Sequence, residues 1–369
     1  MDSSLVLVIV VATASIFNFS NGIRDTASVV ATSISTGSIS PRAAVLMATI
    51  LNFVGAFISI EVAATIATDV VDPEAIKGPS ALNVVFAGLV GAISWNLLTW
   101  YFGLPSSSSH ALVGGLIGSA ALAVGSGAIE FGGLVGKVLI PAVVAPILAL
   151  LVGAIAITIS YRLVGRQRPG PVGRGFRLGQ LFSGGLLALA HGTNDAQKTM
   201  GVITLALIAD GVLAANSDPP FWVILAAATA IALGTYSGGG RLIRSTGFRV
   251  IKVDPAQGLS AESSAATVIL ASSFFGFPLS TTQVISGGVM GVGMAKGISA
   301  VRWGVAWNIV AAWLLTLPAA ALIGALVYGV TVLAGSGVVG PVLISVVAVI
   351  SIALVFIRRY QRGAPVTAT

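Results

Sequence analysis

Long apolar segments recur from one end of the chain to the other, and they limit what this sequence can fold into more than any other feature. They run for roughly 14 to 28 residues, and a helix needs about 20 to cross the hydrocarbon core of a bilayer. A transmembrane barrel would instead show alternating strands of roughly 10 residues. Only 8% of the residues are charged and the mean hydropathy is +1.00, whereas soluble domains carry about 25% charged residues. The sequence therefore predicts an all-α, polytopic membrane protein.

The excess of basic residues does not indicate nucleic-acid binding. The formal net charge is +7, but most Lys and Arg fall in a few short loops, as in the cytoplasmic loops of membrane proteins. The absence of cysteine excludes disulfides, thiolate metal sites and thiol nucleophiles. The first apolar run, residues 5–17, follows Asp2 and no Lys or Arg, so we expect a retained helix rather than a signal peptide.

Four polar stretches interrupt the apolar segments. Residues 21–25 and 191–198 carry ionisable side chains, while residues 103–110 and 276–283 place Ser or Thr after a proline. A charge at mid-bilayer costs several kcal/mol, so ionisable residues at membrane depth indicate function. Unwound backbone is tolerated there only where it is buried or lines a cavity. We expect each stretch to be an interrupted helix or the tip of a re-entrant hairpin, in a fold of about 10–12 transmembrane helices.

The four stretches form two matched pairs. Asp25 and Asp195 lie 170 positions apart, and Pro105 and Pro278 lie 173 apart, which indicates an internal repeat. Placing the Arg-rich segment 162–177 inside also puts the basic C-terminal tail inside and leaves the acidic loops outside. Each half then crosses an odd number of times, so we predict two inverted-topology repeats, as in many secondary transporters. The predicted parts are a first repeat (1–161), a basic cytoplasmic connector (162–177), a second repeat (178–337), and a final helix with its tail (338–369).

The chemistry of these stretches suits an anion together with a small cation. Asp25, Asn194 and Asp195 supply oxygen atoms for Na⁺, or for proton exchange if burial raises their pKa values. Hydroxyl groups beside proline-initiated helix N-termini would favour a tetrahedral oxyanion. These hydroxyls belong to Ser107, Ser108, Ser109, Ser280, Thr281 and Thr282.

Each motif also has a purely structural interpretation. Ser or Thr after Pro is ordinarily a turn or a helix cap. In this interpretation Asp195 forms an ion pair with Lys198. Arg24 serves simply to neutralise the charge of its neighbour Asp25. His110 and His191 are interpreted as hydrogen-bonded core residues, since two histidines without cysteine make a weak metal site. Glu262 has no obvious partner in the sequence, and a buried carboxyl group there is interpreted as functional.

At these residues the chain resembles the inorganic phosphate transporter (PiT) family, especially its prokaryotic low-affinity branch. The stretch His191–Gly201 is similar to the second-half signature of that family, and Asn21–Ala27 to the first-half signature. The Pro-Ser-Thr-Thr-type motifs of the family correspond to residues 105–110 and 278–283, and its second-half glutamate corresponds to Glu262. The chain departs from the family pattern in three places. They are Arg24, where Asn or His is usual, Ser28, where Asn is usual, and Gln283, which replaces a frequent His.

The resemblance implies a secondary active transporter, not an enzyme, that takes up inorganic phosphate by Na⁺ or H⁺ symport through alternating access. It implies a multi-pass protein of the plasma membrane with no cofactor. Its partners would be phosphate, Na⁺ or H⁺, and the lipid bilayer, and it would not bind nucleic acid. A homodimer is one option for its assembly. The candidate coupling-ion residues are Asn21, Asp25, Asn194 and Asp195, with Na⁺ assigned to the last three. The candidate phosphate ligands are the six Ser and Thr residues and Gln197. The other candidate functional residues are Arg24, His110, Lys198, Glu262 and Gln283.

Electrostatics supports cation coupling. Phosphate near pH 7 carries one to two negative charges, and each costs about 2.3 kcal/mol per 100 mV against an inside-negative potential. A sulfate or other oxyanion transporter of the same fold remains open, because hydroxyls and amides distinguish tetrahedral anions weakly. An anion channel is a more distant alternative, since the carboxylates would repel the permeant ion. An intramembrane hydrolase is equally distant, because Ser109 and His110 are adjacent and no nucleophile elbow is present.

Overall fold

The computed structural model describes residues 2–78, 80–102, 104, 106–164, 169–242, 253–295, 297, 303–335 and 337–348. Within these ranges every regular element is a helix, and the one isolated β-bridge joins Val71 to Ile129. Five of the described helices are long and apolar enough to cross a membrane, the longest of them at Phe131–Val164. The basic loop at 243–252 and the tail at 349–369, including the predicted basic residues 358–362, lie outside the described residues.

The helices of the first half precede residue 165. They are α1 (Asp2–Ser35), α2 (Pro41–Gly55), α3 (Glu61–Thr68), α4 (Ala81–Tyr101) and α5 (Ser108–Val124). A 3-10 turn at Ser126–Ala128 then leads to α6 (Phe131–Gly133), a π-helical turn (Leu134–Leu139) and α7 (Ile140–Val164). The helices of the second half are α8 (Pro169–Ala209), α9 (Phe221–Leu242), α10 (Pro255–Phe274), α11 (Thr281–Met294), α12 (Trp303–Ala334) and a short α13 (Val339–Ala348).

Local sequence signals explain where several of these helices begin. Ser40 caps α2 by accepting a hydrogen bond from the Ala43 N–H, and a proline occupies the first helical position, where its missing N–H costs nothing. Asp254 and Gln257 form a reciprocal capping box at the start of α10, which satisfies two backbone donors at once.

Two of the four predicted interruptions are not breaks in the backbone. α1 is a continuous helix of 34 residues through residues 21–25, and α8 is a continuous helix of 41 residues through residues 191–198. An intact helix satisfies its own backbone groups, so only the side chains of these stretches need partners. α8 also begins at Pro169, so the second part of the predicted connector 162–177 is helical, while residues 165–168 lie outside the described part of the chain.

The other two stretches do interrupt the helices, at the joins between α4 and α5 and between α10 and α11. Gly276 has φ +73° at the second join, a conformation that side chains other than glycine rarely adopt; Gly103 and Pro105 of the first lie outside the described residues. In each pair the two helices pack together. The second tip contacts Asp25 and Asp195, which lie well inside α1 and α8. A hairpin whose tip ends against the interior of a long helix has the geometry of a re-entrant hairpin.

The helices pack in matched pairs across the two halves. α1 packs on α9 and α8 packs on α2 and α3, while α5 packs on α12 and α11 packs on α7. Each of these contacts therefore has a counterpart in the other half, in agreement with the internal repeat that the spacing predicts. Glycines permit close contacts between helices as well. A Cβ at Gly91 would lie 2.7 Å from Cα of Gly324. α4 and α12 therefore approach closely at this point, as small residues allow in membranes.

Candidate functional site

Asp25 and Asp195, one from each half, lie close together in the protein interior. His191 Nε2 lies 3.1 Å from Asp195 Oδ2 and 4.0 Å from Asp25 Oδ2. One ligand atom from each of these three buried residues lies within 4.8 Å of the others. Asn21 Nδ2 donates a 3.0 Å hydrogen bond to Asp195 Oδ2. The structure thus brings together the two aspartates that the sequence places 170 positions apart.

The two carboxylates are compensated differently. Asp195 accepts a hydrogen bond from Lys198 Nζ, which also donates to the Leu279 carbonyl at 2.7 Å. The contact between Asp195 and Lys198 that the structural interpretation predicts is therefore present. Asp25 accepts a 3.3 Å hydrogen bond from Thr282, and among the described residues His191 is the one basic group within 4.0 Å of its carboxylate. Asp25 therefore lacks a close ion pair like the one that Lys198 forms with Asp195.

Three buried amide oxygens of α1 and α8 have no hydrogen-bond partner among the described residues. They are Oδ1 of Asn18, Asn21 and Asn194. An unsatisfied buried acceptor costs about 1–3 kcal/mol, so these oxygens are suited to a ligand. With a carboxylate, amide oxygens form the ligand set that hard cations prefer. Asn18 was not predicted from the sequence, although its spacing of three and seven residues from Asn21 and Asp25 places all three on one helix face.

The hydroxyl groups at the hairpin tips have several roles. Ser107 caps α5 by accepting a hydrogen bond from the His110 N–H, as the structural interpretation predicts. Ser109 donates to the Leu279 carbonyl at 2.7 Å. Since that carbonyl also accepts from Lys198, it connects the two tips with α8.

Two tip hydroxyls remain available. Ser280 is the N-cap residue of α11 without forming a side-chain capping bond, and neither Ser108 nor Ser280 has a side-chain hydrogen bond to another described residue. Thr281 and Thr282 donate long hydrogen bonds, each 3.3 Å, to Asp195 and Asp25 respectively. The second tip thus presents hydroxyls directly to both aspartates.

The equivalent residues His110 and Gln283 meet between the halves. Gln283 Nε2 lies 3.4 Å from His110 Nδ1, and the two residues have the same 173-residue offset as Pro105 and Pro278. Both side chains are buried. The contact is what a pseudo-twofold relation between the halves would produce at its centre.

Gln197, a predicted phosphate ligand, uses both its amide oxygen and its amide nitrogen in hydrogen bonds to the backbone. Its Oε1 accepts hydrogen bonds from the Val62 and Ala63 N–H groups, at 2.8 and 3.2 Å, and its Nε2 donates to the Thr193 carbonyl. The first N–H groups of a helix have no partner within the helix, so Gln197 satisfies the start of α3. These contacts favour a structural role for this residue over phosphate binding.

Glu262 belongs to a separate polar cluster toward the C-terminal end of α1. Its Oε1 accepts hydrogen bonds from Thr32, Ser33 and Gln180, and its Oε2 accepts one from Ser183 at 2.6 Å. Sequence patterns do not indicate these partners, because they come from α1 and α8. The carboxylate connects these two helices with α10.

His191 is buried and hydrogen-bonded, as expected of the core residue that the sequence predicts, and it also lies between the two aspartates. Its Nδ1 is 3.1 Å from Asn52 Oδ1, and Asn52 Nδ2 donates to Thr235. The spacing of four residues between His191 and Asp195 is the signal that could have identified this contact, since such residues lie on the same helix face.

The arrangement combines acidic oxygens, free amide oxygens and free hydroxyls in one buried region of a helical membrane fold. Residues 21–173 and 167–324 match the family model described as "Phosphate transporter family". The chain belongs to the phosphate transporter family. Members of this family are transporters rather than enzymes, so the predicted absence of catalysis and the resemblance are both confirmed.

Relatives of this phosphate transporter family protein align with it over most of its length. A protein of Mycobacterium bovis named "Probable low-affinity inorganic phosphate transporter" is 52% identical over 324 residues, covering 88% of this chain and 77% of the relative. A protein of Bacillus subtilis with the same name is 40% identical over 329 residues, covering 89% and 98%. A solved structure named "The sodium-dependent phosphate transporter" superposes with a TM-score of 0.81 at 25% identity, covering 89% of this chain and 99% of that one. The predicted all-α polytopic membrane fold is confirmed.

Proposed function

We propose that this protein takes up inorganic phosphate across the plasma membrane by symport with Na⁺ or H⁺, through alternating access between two inverted repeats. One observation carries the proposal: Asp25 and Asp195 meet in one buried site that also contains hydroxyls of the second hairpin tip. The names of the relatives support phosphate as the substrate. The name of the solved relative supports sodium as one of the two coupling ions to test.

The coupling cation would bind at Asp25. This carboxylate has no close ion pair like that of Asp195 with Lys198, and the amide oxygens of Asn21 and Asn194 are free to complete the ligand set. A cation there also offsets the charge of phosphate, which costs about 2.3 kcal/mol per charge per 100 mV against an inside-negative potential.

Phosphate would bind at the hairpin tips through Ser108, Ser280, Thr281 and Thr282. Thr281 and Thr282 now donate to the aspartates, and a phosphate oxygen would compete for these hydroxyls. Once the hydroxyls turn to phosphate, the carboxylates lose donors and gain affinity for a cation. Binding of each ion therefore favours binding of the other, and this linkage is reciprocal.

Transport would occur when the hairpins move relative to α1 and α8. The bond of Lys198 to the Leu279 carbonyl joins α8 to the second tip, and such a movement would break and re-form it. In the proposed orientation the 162–177 connector and the C-terminal tail face the cytoplasm, because basic loops are retained there.

Reconstitution into proteoliposomes tests this function. A Na⁺ gradient and a pH gradient are imposed separately, and accumulation of labelled phosphate is measured with and without excess sulfate. Symport predicts that phosphate accumulates above equilibrium with at least one gradient. Selectivity for phosphate predicts that sulfate inhibits this uptake little. Equal competition by sulfate would favour the general oxyanion transporter, and uptake that follows the membrane potential alone would favour the anion channel.

A further inference from the structure

Arg24 is a cation whose charge the surrounding protein does not balance by direct contact. Its Nη2 donates a 3.0 Å hydrogen bond to Ser106 Oγ, while its Nη1 is buried without a partner. Within the described part of the chain, no carboxylate oxygen lies within 4.0 Å of the guanidinium. Leaving a buried charged donor unpaired is strongly unfavourable, so a missing partner is implied.

The neighbouring carboxylate of Asp25 is not in direct contact with the guanidinium. Asp25 is directed to Thr282 and His191, and successive residues of a helix do not face each other. Lys198 provides the comparison, because it contacts Asp195 directly and fills a second donor position with the Leu279 carbonyl. The basic residues of the site therefore differ in their contacts: Lys198 and His191 lie against carboxylates, whereas Arg24 contacts the Ser106 hydroxyl.

The position of Arg24 indicates what the missing partner is. Ser106, which it contacts, lies at the first hairpin tip immediately before Ser107 and Ser108, and Ser106 Oγ also pairs with Thr99 Oγ1 at 2.6 Å. The guanidinium therefore contacts the same hairpin tip that carries Ser108, one of the hydroxyls proposed for phosphate. A guanidinium matches the geometry of phosphate and can donate two parallel hydrogen bonds to it.

The equivalent position in the second half has the opposite chemistry. Asn194 lies 170 residues after Arg24, and its Nδ2 donates to Ser273 and to the Phe277 carbonyl. Its unpartnered atom is Oδ1, an acceptor suited to a cation. The free atom at Arg24 is a donor, which suits an anion.

We propose that Arg24 is a phosphate ligand, donating through Nη1 and supplying the first half of the site with a fixed positive charge. This inference rests on the proposed function, and it adds to the hydroxyl ligands one charged ligand. It also divides the two equivalent positions between the two ions, with Asn194 toward the cation and Arg24 toward the anion.

Binding of inorganic phosphate to the purified full chain in lipid nanodiscs tests the inference. The variants are Arg24→Asn, which copies the second-half residue, Arg24→Lys, which keeps the charge, and Arg42→Gln, an exposed arginine of α2, as the matched control. The Kd for phosphate and the melting temperature with and without saturating phosphate are measured. Arg24→Asn should raise the Kd about tenfold or more, as expected for the loss of a charge-assisted hydrogen bond. Arg24→Lys should have a smaller effect and Arg42→Gln none.

The melting temperatures separate ligand binding from a structural role. Because Arg24→Asn removes an uncompensated charge, the phosphate-free protein should melt at the same or a higher temperature, while the stabilisation by phosphate shrinks. An unchanged Kd in Arg24→Asn, or a phosphate-free melting temperature that falls by as much as the phosphate-bound one, would overturn the inference. If the wild type binds phosphate and the variant shows the expected loss, but no gradient drives accumulation, the symport proposal fails and the assignment of Arg24 stands. A wild type that binds no phosphate overturns both.

Discussion

Asn21 of α1 donates a hydrogen bond to Asp195 of α8, 174 positions later, at 3.0 Å. The residue equivalent to Asn21 in the second half is His191, which approaches Asp25 of the first half at 4.0 Å. Each half therefore directs a nitrogen toward the aspartate of the other half. Neither aspartate has its full set of contacts without the opposite repeat.

The ion pair of Asp195 and Lys198 predicts a non-additive effect on stability. Asp195→Asn should lower the free energy of unfolding by about 3–5 kcal/mol, because it leaves a buried ammonium group uncompensated. The double variant Asp195→Asn with Lys198→Gln should recover part of that loss. Chemical unfolding in detergent of the two single variants and the double variant measures the coupling. Additive losses would contradict the direct ion pair.

The two threonines of the second tip should contribute to phosphate affinity. Thr281→Val and Thr282→Val keep the side-chain shape but remove a hydroxyl that faces an aspartate. Hydrogen bonds to charged groups contribute about 1.5–3 kcal/mol, so each variant should raise the KM for phosphate about 10- to 100-fold. Thr267→Val is the matched control, because Thr267 is exposed and its hydroxyl bonds to the Ser263 carbonyl of its own helix. An unchanged KM for both variants would remove the second tip from the phosphate site.

Gly192 is predicted to be required for the contact of α8 with α2. A Cβ there would lie 2.5 Å from Cα of Asn52 and 2.7 Å from its carbonyl carbon, and the backbone would have to move. Gly192→Ala should cost about 1–3 kcal/mol, as overpacking typically does, and should impair uptake because Asn52 contacts His191. Gly173→Ala in the same helix, where nothing lies within 4 Å, should be neutral or slightly stabilising. Equal thermal stability of the two variants would contradict the close approach.

Glu262 is predicted to hold α1, α8 and α10 together through the hydrogen bonds that its two carboxyl oxygens accept. Glu262→Gln keeps the size but replaces one acceptor oxygen by a donor, which would face the hydroxyls of Ser183 or of Thr32 and Ser33. The lost hydrogen bonds should lower stability by about 1–3 kcal/mol, seen as a lower melting temperature in detergent. Glu74→Gln is the control, since its ion pair with Lys77 is exposed and should contribute little. Similar melting temperatures for both variants would show that the Glu262 carboxylate does not bind these helices together.

Much of this site could be predicted from the sequence, because the repeat spacing relates Asp25 to Asp195 and Ser107–Ser109 to Ser280–Thr282. The spacing could not reveal that α1 and α8 remain intact at residues 21–25 and 191–198. Asn-Gly and Gly-Thr-Asn-Asp favour breaks locally, but tertiary partners such as Asn52 and Leu279 satisfy the side chains instead. Gln197 shows the same limit, since its use at the start of α3 depends on a helix more than 130 residues away.

Gradient-driven uptake by Asp25→Asn tests the central claim most directly, because Asp25 is the carboxylate assigned to the coupling cation. Wild type and variant are reconstituted in proteoliposomes, and labelled phosphate is followed both under the driving gradient and in exchange without a gradient. We predict that Asp25→Asn loses accumulation under the gradient while retaining measurable phosphate exchange. Accumulation by Asp25→Asn equal to that of the wild type would contradict the assignment of the coupling cation to this carboxylate.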